Sequence, residues 1–216
     1  MRATMTERLD LFPTPVLKVT HPDADSIRAP LLEAVQARRG GGDAGVARSN
    51  VGGWHSDTGL YEWGGAPARA IVDFAIATVS PLMFDGARGG QRSFRWAVEM
   101  WANVNPPGAS NEAHCHTGSF WSGVYYLDPG VAAEDDAGGE LVLEDPRFPM
   151  AYMTVPDLYL KDAAGSPMTS QTRIRPAPGL LVLFPSWLRH GVRPHDGPGE
   201  RVSIALNLIL RPPPAQ

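Results

Sequence analysis

The chain has 216 residues, of which 43% are hydrophobic, and this size and composition are typical of one globular domain with a sizeable core. The net charge is −4 at pH 7 and no basic stripe is present, which argues against nucleic acid or an anionic membrane as the main partner. A single cysteine, Cys115, excludes an internal disulfide, and no apolar leader or membrane-spanning run is evident, so we expect a cytoplasmic protein.

The segment 1–90 predicts one strand followed by two helices. Residues 9–19 (LDLFPTPVLKV) predict an opening strand interrupted by its prolines. Residues 25–38 have apolar side chains at helical spacing and stop before a glycine run, and residues 66–83 predict a second amphipathic helix that ends near Pro81.

From about residue 92 the hydrophobic period changes to two. Apolar residues at the even positions from 94 to 104 alternate with a mixed set, which predicts a strand with one apolar face. Helices followed by many short strands predict a mainly β fold, a barrel or jelly roll with covering helices from the N-terminal third, in one domain over 1–216 with its core in 91–212. Further strands are predicted at 121–128, 139–143, 151–155, 172–176, 179–184 and 200–210, and the loops 129–138 and 156–170 are candidate lids.

The pair His114 and His116 stands at the predicted mouth of a strand. Residues i and i+2 of a strand share a face, so the two imidazoles should project together while Cys115 points away and packs in the core. Two converging neutral imidazoles suit iron, zinc, copper or nickel. The alternative is a pair that arises from chance or packing.

His190 is the best candidate for a third ligand because it ends the apolar segment GLLVLFPSWLRH. We expect His195 to face solvent in a turn, His55 to be a loop or hydrogen-bonded core residue, and His21 to lie in a loop. The spacing of the two histidine motifs has the outline of the cupin signature, which belongs to a double-stranded β-helix. The chain departs from it by Trp187 in place of the last glycine and by the absence of the cupin glutamate.

Arg201 and Ser203 share the polar face of the last predicted strand. An arginine fork and a serine hydroxyl at this spacing can hold a carboxylate, and one tight turn after His190 would bring them beside the metal. A surface arginine on an edge strand is the alternative.

The segments LFPTPV, GGWHS, HCHTGSFWSGVYYL, GGELVLEDPR and PGLLVLFPSWLRHGVRP…RVSIALN resemble a bacterial family of 2-oxoglutarate/Fe(II)-dependent oxygenases related to the prolyl hydroxylases. The resemblance implies a cupin-like double-stranded β-helix, Fe(II) and the cosubstrate 2-oxoglutarate, and hydroxylation of an unknown small molecule or peptide. It also implies that His114, His116 and His190 are the iron ligands. Most such enzymes use a carboxylate where this chain has His116, and Glu112, two residues before His114, is an alternative donor.

The same resemblance implies a cosubstrate site. Arg201 and Ser203 would bind the distal carboxylate of 2-oxoglutarate, and Tyr126 matches a tyrosine that prolyl hydroxylases place against it. Asn103 and Asn105 lie where related dioxygenases place amides or phenols that contact the cosubstrate. Two other functions stay open: a cupin-type metalloenzyme without 2-oxoglutarate, and a non-catalytic sensor of a metal and a carboxylate. A homodimer is also expected.

Overall fold

The structure is a computed structural model that describes residues 7–86, 89–90, 94–132, 137–147 and 157–211. Its first part contains two main helices, one short helix and three short strands that join the two sheets. The elements of this part are β1 (Leu17–Thr20), α1 (Ala24–Gly40), β2 (Asn50–Val51), β3 (Trp54–His55), α2 (Leu60–Trp63) and α3 (Gly65–Val79).

The remainder of the described chain is built from strands. They are β4 (Arg95–Asn105), β5 (Ser110–His114), β6 (Trp121–Asp128), β7 (Leu141–Glu144), β8 (Gln171–Ile174), β9 (Leu180–Pro185), β10 (His190–Val192) and β11 (Arg201–Arg211).

These strands form two antiparallel sheets. The larger has six strands in the order β1-β9-β6-β11-β4-β3, and the smaller has five in the order β2-β5-β10-β7-β8. Side chains from both sheets pack together between them, and α1 and α3 pack on the outer face of the larger sheet. The fold is therefore the double-stranded β-helix with N-terminal helical cover that the sequence implied.

Alternation along β11 separates the hydrophobic core from the functional face. Val202, Ile204, Leu206 and Leu208 pack under the helices, against residues that include Leu31 of α1. The intervening positions, which include Arg201, point between the sheets. The period-two pattern that buries one face of this strand thus presents its polar side chains to the interior of the β-helix.

Several predicted boundaries change in the structure. The opening strand spans Leu17–Thr20 rather than 9–19, because Pro13 and Pro15 remove backbone donors from its first half. The second helix ends at Val79, and Pro81 lies in a 3₁₀ turn over Ser80–Leu82. The predicted strand 151–155 and parts of both candidate lids lie outside the described residues.

Among the described residues, no helix combines the length and the apolar character needed to cross a membrane.

Candidate metal centre and anion pocket

Three histidines meet between the two sheets. His114 ends β5 and His190 begins β10, and the antiparallel register of these strands places the two residues directly opposite each other. His116 follows two residues after the end of β5. Its Nε2 atom lies 3.1 Å from Nε2 of His114 and 3.2 Å from Nε2 of His190. The predicted triad is therefore one cluster.

The spacing of this cluster, and the protonation of two of its three rings, fit a metal ion. The Nδ1 atoms of His114 and His190 lie 2.7 and 2.8 Å from the carbonyl oxygens of Glu112 and Leu188. A carbonyl can only accept, so each Nδ1–H donates and each Nε2 presents a bare lone pair to the cluster. Two ligand atoms that each lie about 2.1 Å from one ion, at a right angle to each other, are about 3 Å apart. The observed distances therefore match those of metal ligands.

Burial keeps two of the three imidazoles neutral. It lowers the pKa of His116 to about 3, with further lowering from His190 and His114, and it lowers the pKa of His190 to about 4. A coordinating imidazole must be neutral, so burial gives both rings the charge state that coordination requires at neutral pH.

These pKa shifts predict an acid-sensitive metal-free protein. The unfolded chain protonates its histidines near the usual pKa of about 6.5, whereas folded His116 and His190 stay neutral until much lower pH. The unfolded state therefore binds more protons below that value, and the free energy of unfolding should fall as the pH drops from about 6.5 towards about 4. Urea unfolding in the presence of a chelator measures this decline. The unfolding free energy should fall less steeply with pH in His190→Asn. An equal dependence on pH in the two proteins would contradict the lowered pKa of His190.

The strand does not continue through the histidine pair as predicted. The backbone N–H of His116 donates to the carbonyl of Ser186, and the ladder of β5 ends at His114. Cys115 is consequently exposed rather than packed in the core. The side chain of Glu112 is also exposed and lies outside the cluster, to which this residue contributes its backbone carbonyl.

An anion pocket adjoins the triad. Arg201 is 1% exposed; its Nε donates to the carbonyl of Gly139 and its Nη1 to Oγ of Ser203, each at 3.0 Å. Its Nη2 has no hydrogen-bond partner among the described residues, and none of their carboxylates forms an ion pair with it. Burial lowers the pKa of this guanidinium. A buried charge in this state calls for an anionic partner.

The remaining predicted cosubstrate residues divide into two groups. Asn103 lines the same pocket as the triad, Arg201 and Ser203, and its Oδ1 is buried without a partner within the described chain. Tyr126 and Asn105 are not on the pocket wall. The Tyr126 ring lies 5.1 Å from the Arg201 guanidinium carbon, and burial raises the pKa of its phenol. Asn105 donates to Asn111 instead.

His195 was predicted to face solvent, and this prediction is wrong. It is fully buried behind Arg201, its Nε2–H donates to the carbonyl of Gly199 at 2.8 Å, and its backbone pairs with Ala109. His55 is hydrogen-bonded to the Ser56 carbonyl, which agrees with the prediction of a hydrogen-bonded core residue rather than a loop residue. The His55 ring also stacks on Trp101, and Trp101 stacks on the triad residue His116.

Sequence reasoning missed a polar group behind the triad. Asn207 is 4% exposed, and its Nδ2 lies 3.0 Å from Nδ1 of His116. The sequence did contain a signal, because Asn207 lies an even number of residues from Arg201 and Ser203 and so shares their face of the strand. A shared face does not show which ring the amide contacts.

The family model described as "Putative 2OG-Fe(II) oxygenase" matches residues 99–207, which include the triad and the anion pocket. Among solved structures, the chain is similar to a prolyl hydroxylase from Trichoplax adhaerens, solved in complex with a hypoxia inducible factor oxygen degradation domain peptide fragment. The TM-score is 0.62 at 18% identity, over 90% of this chain and 83% of that chain.

Two further solved structures are similar over most of their length. A Pseudomonas putida prolyl-4-hydroxylase aligns with TM-score 0.57 at 22% identity, over 94% of this chain and 96% of that chain. HygX from Streptomyces hygroscopicus, with nickel and 2-oxoglutarate bound, aligns with TM-score 0.52 at 12% identity, over 90% and 82%. At these identities the likeness is one of fold. No curated protein matches the chain.

Proposed function

The chain belongs to the 2-oxoglutarate/Fe(II) oxygenase family, and we propose that His114, His116 and His190 hold its iron while Arg201 and Ser203 hold the distal carboxylate of 2-oxoglutarate. One observation carries this assignment. The triad and a buried arginine without a counter-ion among the described residues line a single pocket. A dianionic cosubstrate with one end at the metal and the other at the arginine matches both features.

The hydrogen-bond inventory of the pocket favours a carboxylate over a neutral group. Oγ of Ser203 already accepts from Nη1 of Arg201, so its own hydrogen is free to donate. The free Nη2 of Arg201 supplies a second donor. Two converging donors, one of them charged, bind a carboxylate more strongly than an amide or a hydroxyl.

The chain's own contribution is to position the reactants and exclude water. When bound, Fe(II) would activate O2, which is the oxidant, and 2-oxoglutarate would supply two of the four electrons, so that the cosubstrate, O2 and a C–H bond give succinate, CO2 and an alcohol. Part of the pocket wall is apolar and includes Val124, Leu141 and Phe184. Such a wall limits water near the reacting groups and strengthens the attraction between Arg201 and the carboxylate.

We propose that the substrate is a peptide or a small molecule that is hydroxylated at a C–H bond. The similar Trichoplax protein was solved with a peptide fragment bound, which supports the first of these two classes.

The decisive experiment is a cosubstrate titration in the absence of oxygen. The protein is stripped with a chelator, loaded with Fe(II) under nitrogen and titrated with 2-oxoglutarate. We expect a saturable visible charge-transfer band, because the cosubstrate chelates iron through its keto acid end. Glutarate, which keeps both carboxylates but lacks the keto group, is the control and should compete without producing the band. Iron binding without the band would favour the cupin-type enzyme or the sensor.

A further inference from the structure

The three histidines differ in what their Nδ1 atoms contact. The Nδ1 atoms of His114 and His190 contact carbonyl oxygens, whereas Nδ1 of His116 lies 3.0 Å from the amide nitrogen of Asn207. An amide NH2 group only donates hydrogen bonds. The ring of His116 must therefore accept at Nδ1 in this arrangement.

Glu99 determines which way the Asn207 amide points. Asn207 Nδ2 donates to Oε2 of Glu99 at 3.3 Å, and Oγ of Ser122 lies 2.8 Å from Oδ1 of Asn207. The serine hydroxyl can donate or accept and so fits either orientation of the amide. The carboxylate of Glu99 can only accept, which keeps the NH2 group turned towards both Glu99 and His116.

This orientation has a consequence for the triad. A neutral imidazole that accepts at Nδ1 carries its proton on Nε2. Nε2 of His116 lies between the bare Nε2 atoms of His114 and His190, so its proton can be shared with them at 3.1 and 3.2 Å. The cluster then has two free lone pairs instead of the three that a metal needs.

We infer that Glu99 and Asn207 are positioning residues that hold His116 in the tautomer opposed to metal binding, so that metal loading requires the Asn207 amide to turn over. The inference rests on the proposed function of His116 as a ligand. After the turn, Oδ1 of Asn207 would accept from Nδ1–H of His116. Ser122 can reverse its role, so the bond to Glu99 is the interaction that opposes the turn.

Two variants should therefore bind metal more tightly than the wild type. Glu99→Gln can donate to the turned amide and removes the acceptor that opposes it. Asn207→Asp offers an acceptor to Nδ1–H directly, in the carboxylate–histidine–metal arrangement. We expect each to tighten the affinity for Co(II), used as a probe, by about 10-fold to 100-fold, which is the usual range for residues that orient a ligand.

The matched control is Glu112→Gln. It removes the same negative charge from an exposed carboxylate near the triad, so simple electrostatics predicts weaker Co(II) binding in both glutamate variants. The inference predicts tighter binding in Glu99→Gln alone. Glu99 is exposed, so this variant should fold even if the buried Asn207→Asp does not.

A second measurement reads the tautomer without metal. Long-range ¹H–¹⁵N spectra of the histidine-labelled, metal-free protein should show His116 protonated on Nε2, with His114 and His190 protonated on Nδ1. A His116 resonance typical of Nδ1–H, or Co(II) affinities of Glu99→Gln and Asn207→Asp no tighter than wild type, would overturn the inference. Failure of the wild type and every variant to bind Co(II) would instead refute the triad assignment, and the spectra would still decide the tautomer.

Discussion

Replacing Arg201 with Met is expected to weaken 2-oxoglutarate binding by about 30-fold to about 4,000-fold while leaving Fe(II) affinity unchanged. This range corresponds to the loss of about 2 to 5 kcal/mol when one partner of a buried, hydrogen-bonded charge pair is truncated. Methionine has nearly the length of arginine and is apolar, so it fills the space without supplying a donor. The guanidinium donates to Ser203 and Gly139 and, within the described chain, forms no hydrogen bond to a triad member, which is why the metal site should survive.

The measurement is the anaerobic titration of the charge-transfer band, repeated for the variant with an independent assay of bound iron. Arg211→Met is the matched control, since it removes the same charge from an exposed position on the same strand. Its titration should overlay that of the wild type. Retention of wild-type 2-oxoglutarate affinity in Arg201→Met would refute the assignment of Arg201 to the distal carboxylate, and loss of iron as well would show that Arg201 acts on the metal site.

Strand alternation was enough to predict much of this pocket. In β11 the apolar positions are separated by Arg201 and Ser203, and in β4 Asn103 lies on the corresponding face. Because side chains alternate strictly along a strand, the burial of one face fixes the direction of the other. The two long helices were predicted because apolar residues recur along them at helical spacing. β6 is buried along nearly its whole length, and it was predicted as a short strand bounded by turn residues.

The errors arose where contacts between distant segments decide the outcome. His195 lies in a glycine- and proline-rich turn, a composition that predicts exposure, but its backbone exchanges hydrogen bonds with Gly108 and Ala109 and becomes buried. Cys115 was predicted from a regular strand, and the contact between His116 and Ser186 ends that strand early. Neither contact leaves a periodic signal in the sequence.

Register explains why Asn207 was missed although its face was known. The pairing of β11 with β6 shifts between Val202 and Ser203, and the shifted register then places Asn207 opposite Ser122. In this register the amide contacts Ser122, and its nitrogen lies 3.0 Å from Nδ1 of His116. Strand alternation specifies a face, but it does not specify a shift along the strand.

A histidine in place of the usual carboxylate changes the charge of the site. A third neutral ligand leaves a bound dication one unit more positive than two histidines and a carboxylate would. The buried Arg201 adds another positive charge to the same pocket. Both features favour a dianionic ligand, so the departure at His116 should strengthen the attraction for 2-oxoglutarate while Glu99 and Asn207 set the affinity for the metal.

His190→Ala is expected to weaken metal binding by more than about 100-fold, which is the upper end of the effect for residues that merely orient a ligand. The change removes one of the three Nε2 donors, and the other two cannot enclose an ion from three sides. Equilibrium dialysis with Co(II) measures the loss, and His21→Asn is the control, because His21 is a buried histidine that packs against Phe74 away from the triad. The 2-oxoglutarate band should vanish together with the metal in this variant, whereas Arg201→Met should lose the band alone. Wild-type Co(II) affinity in His190→Ala would show that other residues bind the metal.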